Sequence, residues 1–250
     1  SMLLVIAVVA EVVLALAIKS APILGLAQAA AIAAIGLYGV LRRDLTIVIS
    51  TIAYLAGTEI LWRQTRVPVF YLAAPYLVIG LSALAVLLVI GRLGRDARIA
   101  ALYGALLLPA TVATVRTAGQ DARELVAFAL SGPLALAAFV AFTSQVRITT
   151  DLYRRVLWII LVGAVGPLTI AVSDVRADLA AETAITFSKQ SNFATSGGFG
   201  PVQVSAALSI GMMAAILLVI IERNRLARLL AGALAFVLGV QTLLTFSRGG

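Results

Sequence analysis

Apolar residues run continuously along most of the chain, in stretches as long as a membrane-spanning helix. Such a helix needs about 20 predominantly apolar residues to cross the hydrocarbon core of a bilayer. The runs do not alternate with period two, which favours helices over a membrane barrel. The pattern predicts an all-α, polytopic transmembrane protein with a single membrane domain over residues 1–250. Charged residues and helix breakers divide it into about nine spans, at 2–18, 21–41, 45–61, 70–90, 99–115, 124–142, 153–173, 200–221 and 229–246.

The composition excludes a soluble enzyme and several kinds of chemistry. Of the 250 residues, 62% are hydrophobic and only 12% are charged, whereas a soluble domain carries about 25% charged residues. The chain has no cysteine and no histidine, so disulfides, thiolate catalysis and a histidine base are excluded. We predict neither a metal nor another cofactor. We interpret the net charge of +8 as a sign of membrane topology and of attraction to anionic membrane lipid, and not of nucleic-acid binding.

The distribution of basic residues predicts the orientation of the spans. With the N-terminus in the cytoplasm, every cytoplasmic loop is short and basic, as the positive-inside rule expects. An odd number of spans then places the C-terminus outside. Fewer basic residues are predicted on the outer side than in the cytoplasmic loops, and the topology does not require them there. They are Lys19, Arg63, Arg66, Arg116, Arg123, Arg176, Lys189 and Arg248. Each of them either snorkels at the interface or meets an anionic head group.

The longest stretch between spans, residues 174–199, is predicted to be an external loop. Asp174, Asp178 and Glu182 are spaced at i, i+4 and i+8, which places them on one face of a helix. This spacing predicts a short amphipathic helix on the membrane surface with a solvated acidic face. A loop rich in Ser, Asn and Gly then leads to Gly200 and Pro201.

Two acidic residues within the predicted spans are candidates for function, because a carboxylate is costly in a membrane. Glu59 and Arg63 are four residues apart at the outer end of the third span, so they can pair along one helix face. The pair either has a structural role or orients the Arg63 guanidinium so that it can bind a phosphate. Glu11 lies midway along the first span, with no basic residue in the same segment. It is either protonated or paired with another helix, and a proton relay would need a partner there.

Two further segments are predicted on the outer side. The first, residues 192–205, begins at Asn192 and contains FGPVQVS, with Gln203 in its first helical turn. Its glycines allow close backbone approach, and a helix N-terminus offers free N–H groups to an anion. The second, TFSRGG at 245–250, ends the ninth span and carries Ser247 and Arg248.

Together these segments resemble one family. EILWR at 59–63, FGPVQVS at 199–205 and TFSRGG at 245–250 occur in that order. They are similar to segments of the O-antigen ligase and O-antigen polymerase superfamily, which includes exopolysaccharide polymerases. The SRGG-type signature is the most specific of the three. FGPVQVS looks like the FGPNQ-type segment of the family, with Val202 where Asn is more usual.

The resemblance implies a metal-independent inverting membrane glycosyltransferase of the bacterial inner membrane. Such an enzyme moves a glycan from undecaprenyl diphosphate to an acceptor glycan or to lipid A–core on the periplasmic side. It implies that Arg248 contacts the diphosphate first, and that Arg63 does so second, oriented by Glu59 and accompanied by Arg66. Lys189, Asn192, Gln203 and Ser247 are expected to line the site. A bidentate guanidinium would neutralise the leaving diphosphate without a metal.

The resemblance also implies that part of the enzyme is missing. Members of the family usually continue past the SRGG-type motif with a periplasmic loop that carries a base, whereas this chain has no histidine. We expect the catalytic base to lie outside these 250 residues, and we expect these residues alone to be inactive.

Two alternatives to a transferase stay open at this stage. The first is a transporter or channel, for which Pro109, Pro133 and Pro167 would break spans five, six and seven. The second is a structural membrane subunit without activity, because alanine-rich spans such as 27–35 can pack closely.

Overall fold

The computed structural model describes residues 2–91, 94–117, 122–180 and 193–245, without the side chains of residues 178 and 179. Every regular element in this part of the chain is helical. The long helices are α1 (Met2–Ser20), α2 (Ile23–Leu41), α3 (Leu45–Gln64), α4 (Ala73–Leu84, continued by a π-helical turn Ala85–Ile90), α5 (Arg95–Leu106), α6 (Leu108–Thr117), α7 (Ala122–Thr143), α8 (Thr150–Ala180), α9 (Pro201–Ile221) and α10 (Arg225–Leu244).

The prediction of nine spans is confirmed at the level of length and apolar character. Nine helical segments of the described chain are long and apolar enough to cross a membrane, with α5 and α6 counted together as Arg95–Thr117. Many large apolar side chains on these helices are exposed, among them Met2, Leu41, Ile220 and Leu243. A soluble protein rarely exposes so much contiguous apolar surface, whereas helices in lipid require it.

The described helices differ from the predicted spans in three places. Helix α5 ends at Leu106 and α6 begins at Leu108, so the fifth span is interrupted next to Pro109. Pro133 and Pro167 lie inside α7 and α8, which continue through them. Helix α8 extends to Ala180, so residues 174–180 of the predicted surface helix continue the seventh span. Residues 181–192 lie outside the described chain.

The helices group into two compact units, where the hydrophobic pattern predicts one domain. Unit 1 comprises residues 1–30, 53–69 and 149–250, and unit 2 comprises residues 31–52 and 70–148. Helices α2 and α3 each contribute residues to both units.

Unit 1 is built around α8, which packs against α1, α3 and α9. Glycines allow two of these contacts at backbone distance. A Cβ atom added at Gly57 of α3 would lie 2.5 Å from the Ile160 carbonyl oxygen of α8, and one at Gly211 of α9 would lie 2.5 Å from the Ala164 Cβ. Small residues at helix crossings are how membrane helices gain van der Waals contact, because lipid supplies no hydrophobic driving force between them. The core between α8, α9 and α10 is completed by Leu161, Leu208, Leu218 and Leu238, all fully buried.

Unit 2 packs α7 against α4 and α5, and these helices border an open apolar cavity of about 520 Å³. Small residues of the three helices line much of it, among them Ala83, Ala101, Gly104 and Ala138. The π-helical turn at Ala85–Ile90 forms part of the wall and ends at Gly91, whose φ of +71° suits a residue without a Cβ.

Helices α2 and α3 end in the same unusual way. In each, the second residue after the helix is an arginine in the left-handed region, Arg43 with φ +57° and Arg66 with φ +54°. Paired hydrogen bonds close both ends in the pattern of a Schellman motif. They join Asp44 N to Gly39 O in α2, and Val67 N to Trp62 O in α3.

Candidate functional site

Two of the segments that carry the family resemblance lie together at one end of unit 1, next to the end of α10 that leads into the third segment. Gln64, the last residue of α3, is buried, and its Nε2 donates hydrogen bonds to the carbonyl oxygens of Ser196 at 3.0 Å and Pro167 at 3.4 Å. Ser196 belongs to residues 193–200, here called the glycine bend, which lead directly into α9. One side chain at the end of α3 therefore holds both the bend and the middle of α8.

The glycine bend has a compact local structure. Ala194–Ser196 form one turn of 3₁₀ helix, and the amides of Ser196 and Gly198 both donate to the Phe193 carbonyl oxygen. Gly197 follows with φ +67°, which favours glycine. A Cβ atom there would also lie 2.8 Å from Gln64 Nε2. Gly197 is thus required both by its backbone conformation and by the close approach of Gln64.

The same bend is attached to the end of α10 by two hydrogen bonds. Gln241 Nε2 donates to the Thr195 carbonyl oxygen at 2.7 Å, and Thr195 Oγ1 donates to the Leu244 carbonyl oxygen at 2.7 Å. Thr195 and Gln241 are almost fully buried. A buried amide or hydroxyl without a partner costs about 1–3 kcal/mol, so these paired groups fix the relative positions of the bend and α10.

Glu59 and Arg63 form the ion pair that their spacing predicts. Arg63 Nη2 donates to Glu59 Oε1, and the two side chains are 16% and 26% exposed. The pair is thus neither fully solvated nor fully enclosed. The next residue, Gln64, reaches the glycine bend, so Arg63 directly precedes in sequence the contact between the segments.

Arg66 is exposed and adopts a backbone conformation normally taken by glycine at a helix end. The left-handed region costs about 1–2 kcal/mol for a residue with a Cβ. Arg43 has the same backbone conformation at the end of α2, so the strain alone does not distinguish Arg66 as a site residue. Gln203 is also exposed, and its side chain folds back over Gly200 at the start of α9.

Four of the predicted site residues, Lys189, Asn192, Ser247 and Arg248, lie outside the described part of the chain. Of the others, the structure brings Glu59 and Arg63 into contact and places Arg66 and Gln203 on the surface of the same unit. Sequence reasoning missed Gln64, Thr195 and Gln241. The sequence carries a signal for the two glutamines, because an amide at the end of an apolar helix must find a partner when it is buried.

A second polar cluster links α1, α2 and α3 inside unit 1. Tyr54 Oη donates to Glu11 Oε2 at 2.7 Å, Gln28 Nε2 donates to Tyr54 Oη at 2.8 Å, and Trp62 Nε1 donates to Gln28 Oε1 at 2.8 Å. Glu11 therefore has partners on neighbouring helices, which the sequence alone did not reveal. The cluster ends at Trp62, the residue before Arg63.

Ion pairs and hydrogen bonds also join the helix ends of unit 1. Lys19 Nζ contacts Asp174 Oδ1 at 2.5 Å and donates to Ser173 Oγ, which connects α1 to α8. The acidic stripe predicted for residues 174–182 thus contributes one carboxylate to a structural pair.

Glu222 lies between α9 and α10 and is almost buried. Burial raises the pKa of its carboxyl, but hydrogen bonds from Trp158 Nε1 and from the amides of Asn224 and Arg223, together with the Arg154 charge, lower the pKa below its ordinary value. The charged form of Glu222 is therefore stabilised in the folded protein and holds the connection between the two helices.

Comparisons with protein-family models, with curated proteins and with solved structures found no match to this chain.

Proposed function

We propose that the chain is the membrane part of a transferase of the O-antigen ligase or polysaccharide polymerase type. It would move a glycan from undecaprenyl diphosphate to an acceptor glycan or to lipid A–core. The proposal includes insertion into the bacterial inner membrane with the N-terminus in the cytoplasm. The glycine-bend end of unit 1 would then face the periplasm.

One observation carries the proposal. The segments that resemble the family, EILWR, FGPVQVS and TFSRGG, are far apart in sequence, yet the contacts of Gln64 with Ser196 and of Thr195 with Leu244 bring their neighbourhoods to one place. Residues that act on one substrate must converge in this way, whereas three chance similarities have no reason to meet. The convergence supports the proposal through residues within the described part of the chain.

The arrangement suits a lipid-linked diphosphate. Glu59 fixes one side of the Arg63 guanidinium, which leaves a planar cation of restricted orientation at the end of a membrane-length helix. Arg66 adds a second, exposed cation three residues later. Guanidinium groups bind phosphate oxygens with paired, charge-assisted hydrogen bonds. As the glycosidic bond breaks, the departing diphosphate gains negative charge, and fixed cations at that point stabilise the transition state.

The experiment is a binding measurement on the full 250-residue chain in lipid nanodiscs, with undecaprenyl diphosphate as the probe. A charge-assisted hydrogen bond is worth about 1.5–3 kcal/mol, which corresponds to about a tenfold to hundredfold change in Kd. We expect a loss in this range for Arg63→Ala and for Arg66→Ala.

The matched control is Arg155→Ala. Arg155 is an exposed arginine of unit 1 near the start of α8, away from the glycine bend. Its removal should leave Kd unchanged. Equal losses in all three variants would show that the lipid binds through general charge attraction, and would contradict the proposed site.

A further inference from the structure

We propose that Glu11 is a proton-binding site inside unit 1, whose proton exchanges through a gap opened by α8 at Gly166 and Pro167. The inference is independent of the proposed transferase function. It concerns the polar cluster of Glu11, Tyr54, Gln28 and Trp62, which the proposed diphosphate site does not use.

The carboxyl group of Glu11 is buried and uses little of its hydrogen-bonding capacity. Glu11 is 4% exposed, and its Oε2 accepts a hydrogen bond from Tyr54. Its Oε1 is buried and has no hydrogen-bond partner among the described residues. An ionised carboxylate has about four lone-pair positions to satisfy, and here only one is used. A carboxylic acid, with a proton on Oε1, fits this environment far better.

Within the described part of the chain, no cation compensates a charge on Glu11. Lys19, the only other charged residue of α1, pairs with Asp174, and Arg63 of α3 pairs with Glu59. Helix α2 has no charged residue, and those of α8 lie in its end segments, at 151–155 and 174–178. Tyr54 is the titratable group that contacts Glu11. A buried charge without a paired cation is strongly unfavourable.

The hydrogen bonds of this cluster all run in one direction, from Trp62 toward Glu11. Tyr54 gives its only proton to Glu11, and it accepts from the Gln28 amide, which in turn accepts from Trp62. A carboxamide does not pass protons readily, because it would have to release a proton from its nitrogen and take one up on its oxygen. These hydrogen-bonded side chains therefore stabilise one side of Glu11. They do not conduct its proton beyond Gln28.

The remaining path lies on the Oε1 side, against α8. A Cβ atom added at Gly166 would lie 2.9 Å from Glu11 Oε1, so the α8 backbone covers that oxygen. The next residue is Pro167, inside the helix, which leaves the Gly163 carbonyl without its usual helical donor. Helices bend at such positions. Displacement of α8 there admits a water molecule. The Oε1–H proton passes to that water and one of the water's own protons returns to Oε1, so that Glu11 is again a neutral acid after the exchange.

The test is infrared spectroscopy of the full chain in lipid vesicles at neutral pH. We expect a carbonyl band of a protonated carboxylic acid that is absent in Glu11→Gln and retained in the matched control Glu124→Gln, which changes an exposed glutamate of α7. The band should shift when the water is replaced by D₂O. No such band in the unaltered chain, persistence of the band in Glu11→Gln, or no shift in D₂O would each overturn the proposal.

Two further variants keep the proposal testable if Glu11→Gln fails to fold. Tyr54→Phe removes the hydrogen bond to Oε2 and should move the band to higher frequency, and an unmoved band would assign it to another carboxyl group. Pro167→Ala restores the helical hydrogen bond and should slow the exchange into D₂O. Unchanged exchange in Pro167→Ala would overturn the gate at α8.

Discussion

The side chain of Gln64 donates a 3.0 Å hydrogen bond to the carbonyl oxygen of Ser196, a residue 132 positions later in the chain. This contact joins the end of α3 to the glycine bend before α9. Together with the bonds from Thr195 and Gln241, it builds a fixed frame at one end of unit 1. Arg63 and Arg66 lie at the same end of α3, so the positions of their cations depend on this frame.

Removal of an amide from the frame should destabilise the protein. In Gln241→Leu the Thr195 carbonyl oxygen stays buried and loses its donor, which costs about 1–3 kcal/mol. We expect a lower midpoint of thermal unfolding in detergent. The control is Gln145→Leu, since Gln145 bonds to Gly94 and Ala141 at an exposed or half-buried site, where water replaces the lost partner. A drop of equal size in both variants would contradict the role of Gln241.

Arg66 should show opposite effects on stability and on ligand binding. Arg66→Gly relieves the left-handed strain and should stabilise the fold by up to about 1 kcal/mol, measured as a higher unfolding midpoint. The same variant should bind undecaprenyl diphosphate more weakly, because it loses a cation.

Arg43→Gly is a close control for this experiment, because Arg43 has the same backbone conformation at the end of α2. It should gain similar stability with unchanged binding of the lipid. If Arg66→Gly binds as tightly as the unaltered protein, Arg66 has no part in the site.

The crossing of α3 and α8 should not tolerate a larger residue. Gly57→Ala places a methyl group 2.5 Å from the Ile160 carbonyl oxygen, and overpacking of this kind costs about 1–3 kcal/mol. Gly80→Ala is the matched control in α4, since nothing lies within 4 Å of the added Cβ and alanine favours a helix by about 0.5–1 kcal/mol over glycine. We expect the unfolding midpoint to fall in the first variant and to rise in the second. The same sign in both would refute the tight crossing.

Because of Glu222, the stability of the fold should depend on pH in the acidic range. Because the folded pKa of Glu222 is lowered from 4.5, its contribution is complete above about pH 4.5 and is lost as the pH falls further through the folded pKa. Unfolding measured from neutral to acidic pH should therefore show a loss of stability below 4.5 that is smaller in Glu222→Gln. An identical acid profile in both proteins would contradict a stabilising charge at this position.

The spans could be predicted because their signal is local. Continuous apolar runs and the charges between them locate α1 to α4, α7, α9 and α10 within a few residues. The Glu59–Arg63 pair could also be predicted from the sequence, since i,i+4 spacing on a helix brings the two side chains together. The partners of Gln64 and Glu11 were not, because they lie on other helices whose packing no local pattern specifies. The two units likewise reflect long-range contacts that hydropathy does not encode.

The most direct test of the central claim is the binding of undecaprenyl diphosphate and undecaprenyl monophosphate to the full chain in nanodiscs. The two lipids share the same tail and differ by one phosphate, so the comparison isolates recognition of the diphosphate. We expect the unaltered chain to prefer the diphosphate and the double variant Arg63→Ala, Arg248→Ala to lose this preference. Undiminished binding of the diphosphate by the double variant would contradict the assignment of the site.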